Sequence, residues 1–432
     1  MRHAFQILSG KFDKKTDPGE ISHFQALSSA LSATLGMGNI AGVAVAISVG
    51  GPGSIFWMWV AGLVGMSTKF YTCTLATMFR KKDEAGIDQG GPMYYLEVGL
   101  GKRFKPLAIM FAVCGMIGCL SLFQVNQLSE LIETDYQLGK ALLGLFGSVQ
   151  GPGPAGLTDF EVGKLLIGLV CMILVGVVIL GGIKRVGKVA AKVVPAMSVI
   201  YFVSALIIVL SNFADVPGLL LSIITNAFGS QAVVGGAAGL AITRVIGTGV
   251  KRAAFSNEAG VGTAPMAHGA AKTKEPIREG LIAMLGPFLD TNIVCTLTAL
   301  VILSSGLLSG VALEGDAAAV VLTADAFTQA MGMIGRYMLT LIIVLFSVST
   351  MISYSYYSLK CSKYLFGNKI GSFYVYIYLI SLPVAAVLSA TTVINIIDTC
   401  FALMAIPTLT GALLLSGRVN SALKDYFKRM GL

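Results

Sequence analysis

Long apolar stretches separated by short polar ones run along the whole chain. Ten such segments can be delimited, and their approximate bounds are 24–49, 53–79, 106–131, 162–182, 193–212, 219–250, 281–305, 326–357, 372–388 and 393–416. An α-helix needs about 20 mostly apolar residues to cross a bilayer. The pattern therefore predicts an all-α polytopic membrane protein with about ten transmembrane helices. The predicted protein comprises a leader (1–23), one transmembrane domain (24–416) and a tail (417–432).

Basic residues are unevenly distributed between the polar connections. If the segments alternate sides from a cytoplasmic N-terminus, 27 of the 31 Lys and Arg residues fall on one face, including those of 244–278. The loops on the other face contain Lys140 and Lys164 together with several acidic residues. Cytoplasmic loops of membrane proteins carry an excess of Lys and Arg. We therefore expect both termini in the cytoplasm and a multi-pass protein of the plasma membrane.

Composition agrees with this class. Of the 432 residues, 55% are hydrophobic and 12% are charged, whereas soluble domains average about 25% charged residues. Disordered, coiled-coil and disulfide-rich secreted proteins are excluded on this basis. The net charge of +9 is accounted for by orientation in the bilayer, so no nucleic-acid partner is predicted. The leader lacks the apolar core of a signal peptide.

Ten segments divide into two sets of five, as in transporters built from an inverted repeat. The repeats would cover about 24–212 and 219–416, and helices 1 and 6 are then expected to be discontinuous. Segment 1 contains the glycine-rich stretch 36–39, and segment 6 contains 229–239. For Gly235 and Gly239 alone, close helix packing is the favoured explanation. For 36–39, the polar Asn39 and the matching break in the other half favour an unwound segment that lines a site. Such breaks suit a zwitterionic amino acid together with a cation.

Polar side chains inside the apolar segments narrow the search for that site. They are Ser347, Ser349, Thr350 and Ser353 in segment 8, Gln124 and Asn126 in segment 3, Asp290 and Asn292 in segment 7, and Asp398 in segment 10. Hydroxyls can ligate a cation, although bonding to their own helix is commoner. For Asp290 and Asp398, a coupling role and structural pairing remain equal alternatives. Arg336 is expected either to extend to the interface or to close an outer gate with an acidic loop residue.

No enzyme motif is present in the sequence. His3, His23 and His268 have no metal-ligand spacing, and no phosphate-binding loop is found. The sequence therefore predicts a protein that is not an enzyme, needs no cofactor and is not driven by ATP.

Several motifs resemble one known family, the alanine/glycine:cation symporters of the amino acid–polyamine–cation superfamily. The matching stretches are 24–27, 35–43, 50–53, 56–59, 90–95, 255–268, 290–296 and 403–407. They follow one another in the family's order over nearly the whole chain, and 255–268 (FSNEAGVGTAPMAH) is the most specific of them. The resemblance implies a LeuT-type fold and Na⁺-coupled import of small neutral amino acids such as alanine or glycine.

The resemblance also implies roles for individual residues. The stretch 36–39 is similar to the unwound segment of the bacterial leucine transporter, where main-chain amides hold the substrate and an asparagine contributes to a sodium site. On this basis Gly36 and Gly38 are expected substrate contacts. The expected set also includes Met37, Gln124, Phe228, Ser230, Gln231 and Tyr354. Expected Na⁺ ligands are Asn39, Ser349 and Thr350, with Ser32 and Leu35 supplying main-chain oxygens. Candidates for coupling or gating are Asp290, Asp398 and Glu258.

Some positions depart from the family pattern, which also usually begins with one more membrane helix. The departures are Thr72, Tyr354, Leu359, Phe401 and Thr408. Tyr354 is expected to line the substrate pocket, so the departures bear on substrate preference and on coupling. The alternatives that stay open are a proton-coupled amino-acid permease, an ion channel and an inactive or truncated member of the family.

Overall fold

Helices make up nearly all the regular structure in a computed structural model, which describes residues 2–12, 16–84, 86–145, 158–228, 238–307 and 317–431. In the first part of the chain they are α1 (Arg2–Leu8), α2 (His23–Thr34), α3 (Met37–Gly50), α4 (Gly53–Met78), α5 (Pro92–Tyr94), α6 (Lys105–Gly118), α7 (Leu122–Tyr136), α8 (Leu138–Leu145), α9 (Asp159–Ile179) and α10 (Gly182–Ser211). In the second part they are α11 (Val216–Asn226), α12 (Ala238–Asn257), α13 (Ala264–His268), α14 (Pro276–Ala283), α15 (Leu285–Pro287), α16 (Thr296–Ser305), α17 (Ala317–Ser372), α18 (Tyr374–Val387) and α19 (Ala390–Met430). Strands β1 (Lys81–Lys82) and β2 (Asp88–Gln89) form a small antiparallel hairpin.

The first apolar segment consists of two helices, α2 and α3, which are bent by 41° with respect to each other. Ser22 begins α2 with a capping box, because its hydroxyl accepts from the main-chain N–H of Gln25 and the Gln25 side chain accepts from Ser22 N. At Gly36 the backbone is extended (φ −162°, ψ −151°), and a new helix starts at Met37. The main-chain groups around this break are therefore available to side chains and ligands at the centre of the bundle.

Three further helices are interrupted in ways that matter for the site. A π-helical stretch, Phe288–Cys295, joins α15 to α16. Glu258, Gly260 and Gly262 follow α12 with positive φ, so the chain turns there before α13. In α17, Gly332 has a positive φ and breaks the helix near its start. Each interruption changes the direction of main-chain groups inside a helical bundle.

Hydrogen bonds between distant parts of the chain identify the two ends of the helical bundle. At one end, His3 Nε2 lies 2.8 Å from Tyr426 Oη, and Ile21 pairs with Ala271 in a β-bridge. We call this the terminal end, since both described chain ends lie there. At the opposite end, the Trp57 indole donates to the carbonyl of Ala227 (3.0 Å) close to the turn between α3 and α4.

The structure corrects the predicted sixth segment, 219–250. That range covers the short α11 and only part of α12, and α12 continues to Asn257. Thr248 packs on Gly50 at the opposite end, where a methyl group added to Gly50 would lie 3.1 Å from Thr248 Cβ. Arg244, Lys251 and Arg252 therefore belong to the half of the bundle towards the opposite end. The two helices lie on either side of the glycine-rich stretch 229–239, most of which is outside the described residues, so the expected break in helix 6 stays a prediction.

Six of the described helices are long and apolar enough to cross a bilayer, or seven if α2 and α3 are counted together. The count of ten crossings stays a prediction. Among the other predicted crossings, α12 contains three basic residues and α18 has only 14 residues. Large apolar side chains point outward from the spans, among them Ile173 (62% exposed) and Leu413 (75% exposed). This exposed apolar surface is that of a protein surrounded by lipid.

Candidate functional site

The side chain of Asn39 connects the broken first segment to two other elements. Its Oδ1 accepts from Gly36 N (2.9 Å), which satisfies a main-chain donor at the break. Its Nδ2 donates to Asp290 Oδ1 (2.6 Å) and lies 3.0 Å from Ser256 Oγ. Asn39 is fully buried. One amide thus fixes the start of α3 against the end of α12 and the π-helical stretch.

The carboxylate of Asp290 is enclosed by hydrogen-bond donors. Besides Asn39, Ser256 Oγ donates to its Oδ2 (3.0 Å) and Thr291 Oγ1 donates to the same oxygen (2.8 Å). Thr291 Oγ1 in turn accepts from Asn257 Nδ2 (2.9 Å). Asp290 is fully buried, and a buried carboxylate requires partners of this kind. The structural pairing considered for Asp290 is present, and its oxygens also stand beside the break at Gly36.

A second polar contact joins α2 to α17. Ser32 Oγ donates to the carbonyl of Ser349 (2.7 Å), and Thr350 Oγ1 donates to the carbonyl of Ser32 (3.0 Å). Both hydroxyls of α17 also bond to their own helix through the carbonyl of Phe346 (2.9 Å from Thr350 and 3.0 Å from Ser349). Gly36 packs against the Thr350 hydroxyl, since a methyl group added to Gly36 would be 2.8 Å from Thr350 Oγ1. The structure brings these expected cation ligands together around the first break, and Leu35 is buried within it.

Glu258 lies in the turn after α12 and is 2% exposed. Tyr354 Oη donates to its Oε1, and Thr263 Oγ1 donates to its Oε2. The buried Lys69 of α4 interacts electrostatically with both Glu258 and Asp290. Two carboxylates and one ammonium therefore share the interior of the bundle, and they leave one negative charge in excess when all three are ionised.

The remaining expected substrate contacts occupy different environments. Met37 and Gly38 are buried at the start of α3, and Gly38 packs closely on Ser256. Gln124 is 6% exposed, and its Oε1 has no hydrogen-bond partner in the described residues. Phe228 is instead 60% exposed, with its ring 5.2 Å from that of Phe56. Ser230 and Gln231 lie outside the described residues.

Asp398 is not part of the central cluster. Its carboxylate pairs with Lys251 Nζ at 2.6 Å, and this joins α19 to α12. Arg336, for which a gating role was one alternative, forms ion pairs with Asp135 of α7 and with Asp325 at 2.5 Å. Asp325 precedes the break at Gly332, so Arg336 connects the two parts of α17 to α7.

Sequence reasoning missed three parts of the interior. A lysine within an apolar segment is rare, so Lys69 in segment 2 was itself a detectable signal. Ser256 lies in the family motif but was not selected. His23 Nδ1 and His268 Nδ1 contact the two oxygens of the buried Glu279, the latter at 2.6 Å. No spacing in the sequence could have indicated that contact, because it joins three separate elements.

The chemistry of the cluster suits cations and zwitterions. Carboxylate, amide, hydroxyl and carbonyl oxygens are hard ligands, and they surround the break between α2 and α3. The start of α3 offers main-chain N–H groups to an anionic group. In the described residues no group of three or more His, Cys, Asp or Glu side chains is arranged to hold a metal ion.

Comparison with known proteins gives a consistent result. Residues 1–431 match the model of the sodium:alanine symporter family. The sodium/alanine symporter AgcS of Methanococcus maripaludis is 40% identical over 426 residues, which are 98% of this chain and 88% of that protein. A probable sodium/glutamine symporter of Bacillus subtilis, GlnT, is 35% identical over 95% of this chain and 79% of its own length.

The fold is similar to that of MhsT, solved in complex with L-phenylalanine. The TM-score is 0.65 at 14% identity, and the match covers 92% of this chain and 89% of the other. The LeuT-type fold expected from the resemblance is thereby confirmed. Members of the matched family are membrane transporters that carry amino acids together with a cation, and they are not enzymes. On the match over residues 1–431 and on the identity to AgcS, the chain belongs to the sodium:alanine symporter family.

Proposed function

We propose that this protein imports a small neutral amino acid, alanine or glycine, together with Na⁺ by alternating access. It would do so across the plasma membrane with ten transmembrane helices arranged as two inverted repeats of five, with both termini in the cytoplasm. The observation that carries the proposal is the position of Asn39, which bonds at once to the broken first segment, to Ser256 and to Asp290.

Two places fit a transported Na⁺. The first is formed by Asn39, Ser256 and Asp290, where Asn39 Nδ2 now bonds to the other two side chains and the amide would turn to present its oxygen to the ion. The second is formed by the Ser32 and Leu35 carbonyls with the hydroxyls of Ser349 and Thr350. In each, hydrogen bonds now made between these groups would be replaced by ligation of the ion. Because ligands come from both halves of the chain, an ion bound there would favour one relative position of the halves.

The substrate fits beside the first break. The main-chain N–H of Gly38 at the start of α3 suits the carboxylate of an amino acid, and that of Gly36 would join it by exchanging its bond to Asn39 Oδ1. The unpartnered Oε1 of Gln124 is suited to accept from an ammonium group. Tyr354 closes the site and is itself held by Glu258. Alanine and glycine are the substrates proposed because the chain belongs to the sodium:alanine symporter family.

The net charge moved in each transport cycle determines how uptake is coupled to the membrane potential. An amino acid zwitterion has no net charge, so transport with one Na⁺ moves one positive charge inward. A membrane potential contributes about 2.3 kcal/mol per charge for each 100 mV, which corresponds to about fiftyfold accumulation. The excess negative charge of Glu258, Asp290 and Lys69 would be neutralised when the cation is bound.

Uptake by reconstituted protein tests this proposal. Purified protein in liposomes is supplied with labelled alanine or glycine, with an inward gradient of NaCl or of choline chloride as control. We expect uptake with Na⁺ that is stimulated further by an inside-negative potential. Labelled glutamine belongs in the same panel, because GlnT is a relative. Folded, reconstituted protein without Na⁺-dependent uptake of alanine or glycine would contradict the assignment.

A proton-coupled permease is the second candidate, favoured by two buried carboxylates near a buried lysine. Asp290 or Glu258 would then carry the proton. Uptake driven by an inward pH gradient in Na⁺-free buffer supports this candidate over the first. Currents far above transporter turnover would indicate a channel, and absence of amino-acid binding by folded protein would indicate an inactive member.

A further inference from the structure

A cavity lies at the terminal end, away from the central site. It has a volume of about 770 Å³ and is bounded by the β1–β2 hairpin, the start of α6, the turn between α9 and α10, and the last part of α17. None of the substrate, cation or coupling residues discussed above lines it. Its walls include exposed side chains such as Lys82 and Glu84, so the cavity is open to the surface.

Some of the charged side chains that line the cavity form ion pairs within its wall, and others do not. Six lysines and four acidic residues line the cavity. Lys81 pairs with Glu97 at 3.8 Å, and Lys184 pairs with Glu20 at 3.9 Å. Asp83 accepts from the main-chain N–H of Ile87 (2.9 Å) and from Gln89 (3.1 Å) in the hairpin. Three of the four carboxylates are thus engaged within the wall itself.

The other four lysines have no carboxylate at ion-pair distance in the part of the chain that is described. Lys82, Lys105 and Lys363 make no hydrogen bond there through their ammonium groups. Lys360 is 3% exposed, and its Nζ donates to the Met266 carbonyl (3.1 Å) and the Tyr356 hydroxyl (3.1 Å), both neutral. The six lysines outnumber the four carboxylates by two, so the lining carries a net charge of +2 when all ten groups are ionised. An anion in the cavity would compensate charge that the protein leaves uncompensated.

An apolar surface adjoins this cationic cavity. Ile109 of α6 lines it and is 40% exposed. Phe366, Ile370 and Phe373 follow in and after the last part of α17 with exposures of 52%, 68% and 68%. Gly367, with φ 76°, breaks α17 at the wall of the cavity, so that these side chains are presented beside it. A ligand seated here would meet lysines at one end and exposed hydrocarbon at the other.

We propose that this cavity binds the phosphate headgroup of an anionic phospholipid. Lys82, Lys105 and Lys363 contact the phosphate oxygens, and the acyl chains lie along Ile109 and Phe366. Phosphate is the shared chemistry of a lipid headgroup and a free phosphate ion, and the adjoining apolar surface assigns the lipid. The site lies apart from the central cluster, with which it shares no residue.

Lipid retention by the full chain tests the proposal. Purified protein in a neutral detergent is titrated with phosphatidylglycerol or phosphatidylcholine, and native mass spectrometry measures the fraction that carries one lipid. The variant K82Q/K105Q/K363Q is compared with K102Q/K424Q/K428Q, which removes three exposed lysines outside the cavity. A basic residue near an anionic headgroup is worth about fivefold in affinity. We therefore expect the cavity variant to lose roughly a hundredfold in phosphatidylglycerol affinity, and the control variant to stay close to the wild type.

Other results would overturn the proposal. Equal losses in both triple variants would mean general attraction to a basic surface. Equal binding of the two lipids, which both contain a phosphate, would mean that the net negative charge of the headgroup is not recognised. Inorganic phosphate that binds as tightly as phosphatidylglycerol would assign the site to the free ion. The variant K82R/K105R/K363R keeps the charge and is expected to restore binding, and an unrestored loss from a protein with native elution and helicity would also overturn it. Binding is measured without substrate, so this test is separate from that of transport.

Discussion

Substitution of Gly36 by alanine tests the proposed cation site at the first break directly. The added methyl group would lie 2.8 Å from Thr350 Oγ1, and Thr350 supplies the only heavy atoms within 4 Å of that position in the described residues, apart from the adjoining chain. The backbone at Gly36 is extended, so alanine adopts it without strain. The cost of the substitution therefore falls on one hydroxyl.

The size of the effect follows from that contact. Thr350 is β-branched and therefore stiff about χ1, so its hydroxyl must leave the Ser32 carbonyl, to which it donates at 3.0 Å. Overpacking of a well-packed interior costs about 1–3 kcal/mol. If that cost is borne by the state that binds the ion, Na⁺ affinity falls by about 5- to 150-fold.

Gly42→Ala is the matched control. Gly42 is buried in the same helix, but a methyl group there meets no atom within 4 Å. The assay is alanine uptake into liposomes as a function of Na⁺ concentration. We expect the half-saturating Na⁺ concentration to rise in G36A and to stay near the wild-type value in G42A.

A double variant identifies the source of the effect. If the methyl group acts through the Thr350 hydroxyl, G36A/T350A should need no more Na⁺ than T350A alone, because neighbouring sites are not additive. Unchanged Na⁺ dependence in folded G36A would refute the reasoning. Equal effects of G36A and G42A would refute it too, because only the methyl group added at Gly36 contacts Thr350.

Three further predictions concern separate contacts. Thr350→Val keeps the shape but removes the hydroxyl, so we expect weaker Na⁺ dependence at unchanged membrane yield, and unchanged Na⁺ affinity would count against ligation. Glu279→Gln deprives one of the two buried histidines of its acceptor and should lower the free energy of unfolding by about 1–3 kcal/mol. Thermal unfolding measures this loss, with Glu275→Gln at a surface ion pair as the smaller control. Arg336→Gln releases Asp135 and the first part of α17, and amide hydrogen exchange there should become about fivefold faster. No change in that exchange would mean that Arg336 does not hold the two parts of the helix together.

Helix positions were predictable where composition is decisive. Apolar runs such as 162–182 and 393–416 correspond to α9 and to the first part of α19, because a bilayer-spanning helix must be apolar over most of its length. The predicted end of the sixth segment, 219–250, differs from the end of α12 at Asn257. There an apolar run covers a short helix and part of another, and composition carries no information about where the backbone turns.

The central site was predictable as a set of residue types and not as a set of contacts. Glycine and asparagine at 36–39 indicated a break, and the structure has one between α2 and α3. That Asn39 meets Ser256 and Asp290, more than 200 positions away along the chain, is decided by the packing of α3 against α12 and the π-helical stretch. Asp398 also lies inside an apolar segment, which is equally unusual. Its partner, however, is Lys251 and not a residue of the central cluster.

By itself, the sequence determined the class of protein, most of its helices and its family, since these depend on hydropathy and on motifs that are local in the chain. The tertiary structure decided which buried polar groups meet, because a hydrogen bond about 3 Å long depends on how distant helices pack. It also placed the uncompensated lysines around one cavity. A count of basic residues gave their number and predicted side, but only the fold distinguishes lysines that are paired from those that remain free to bind an anion.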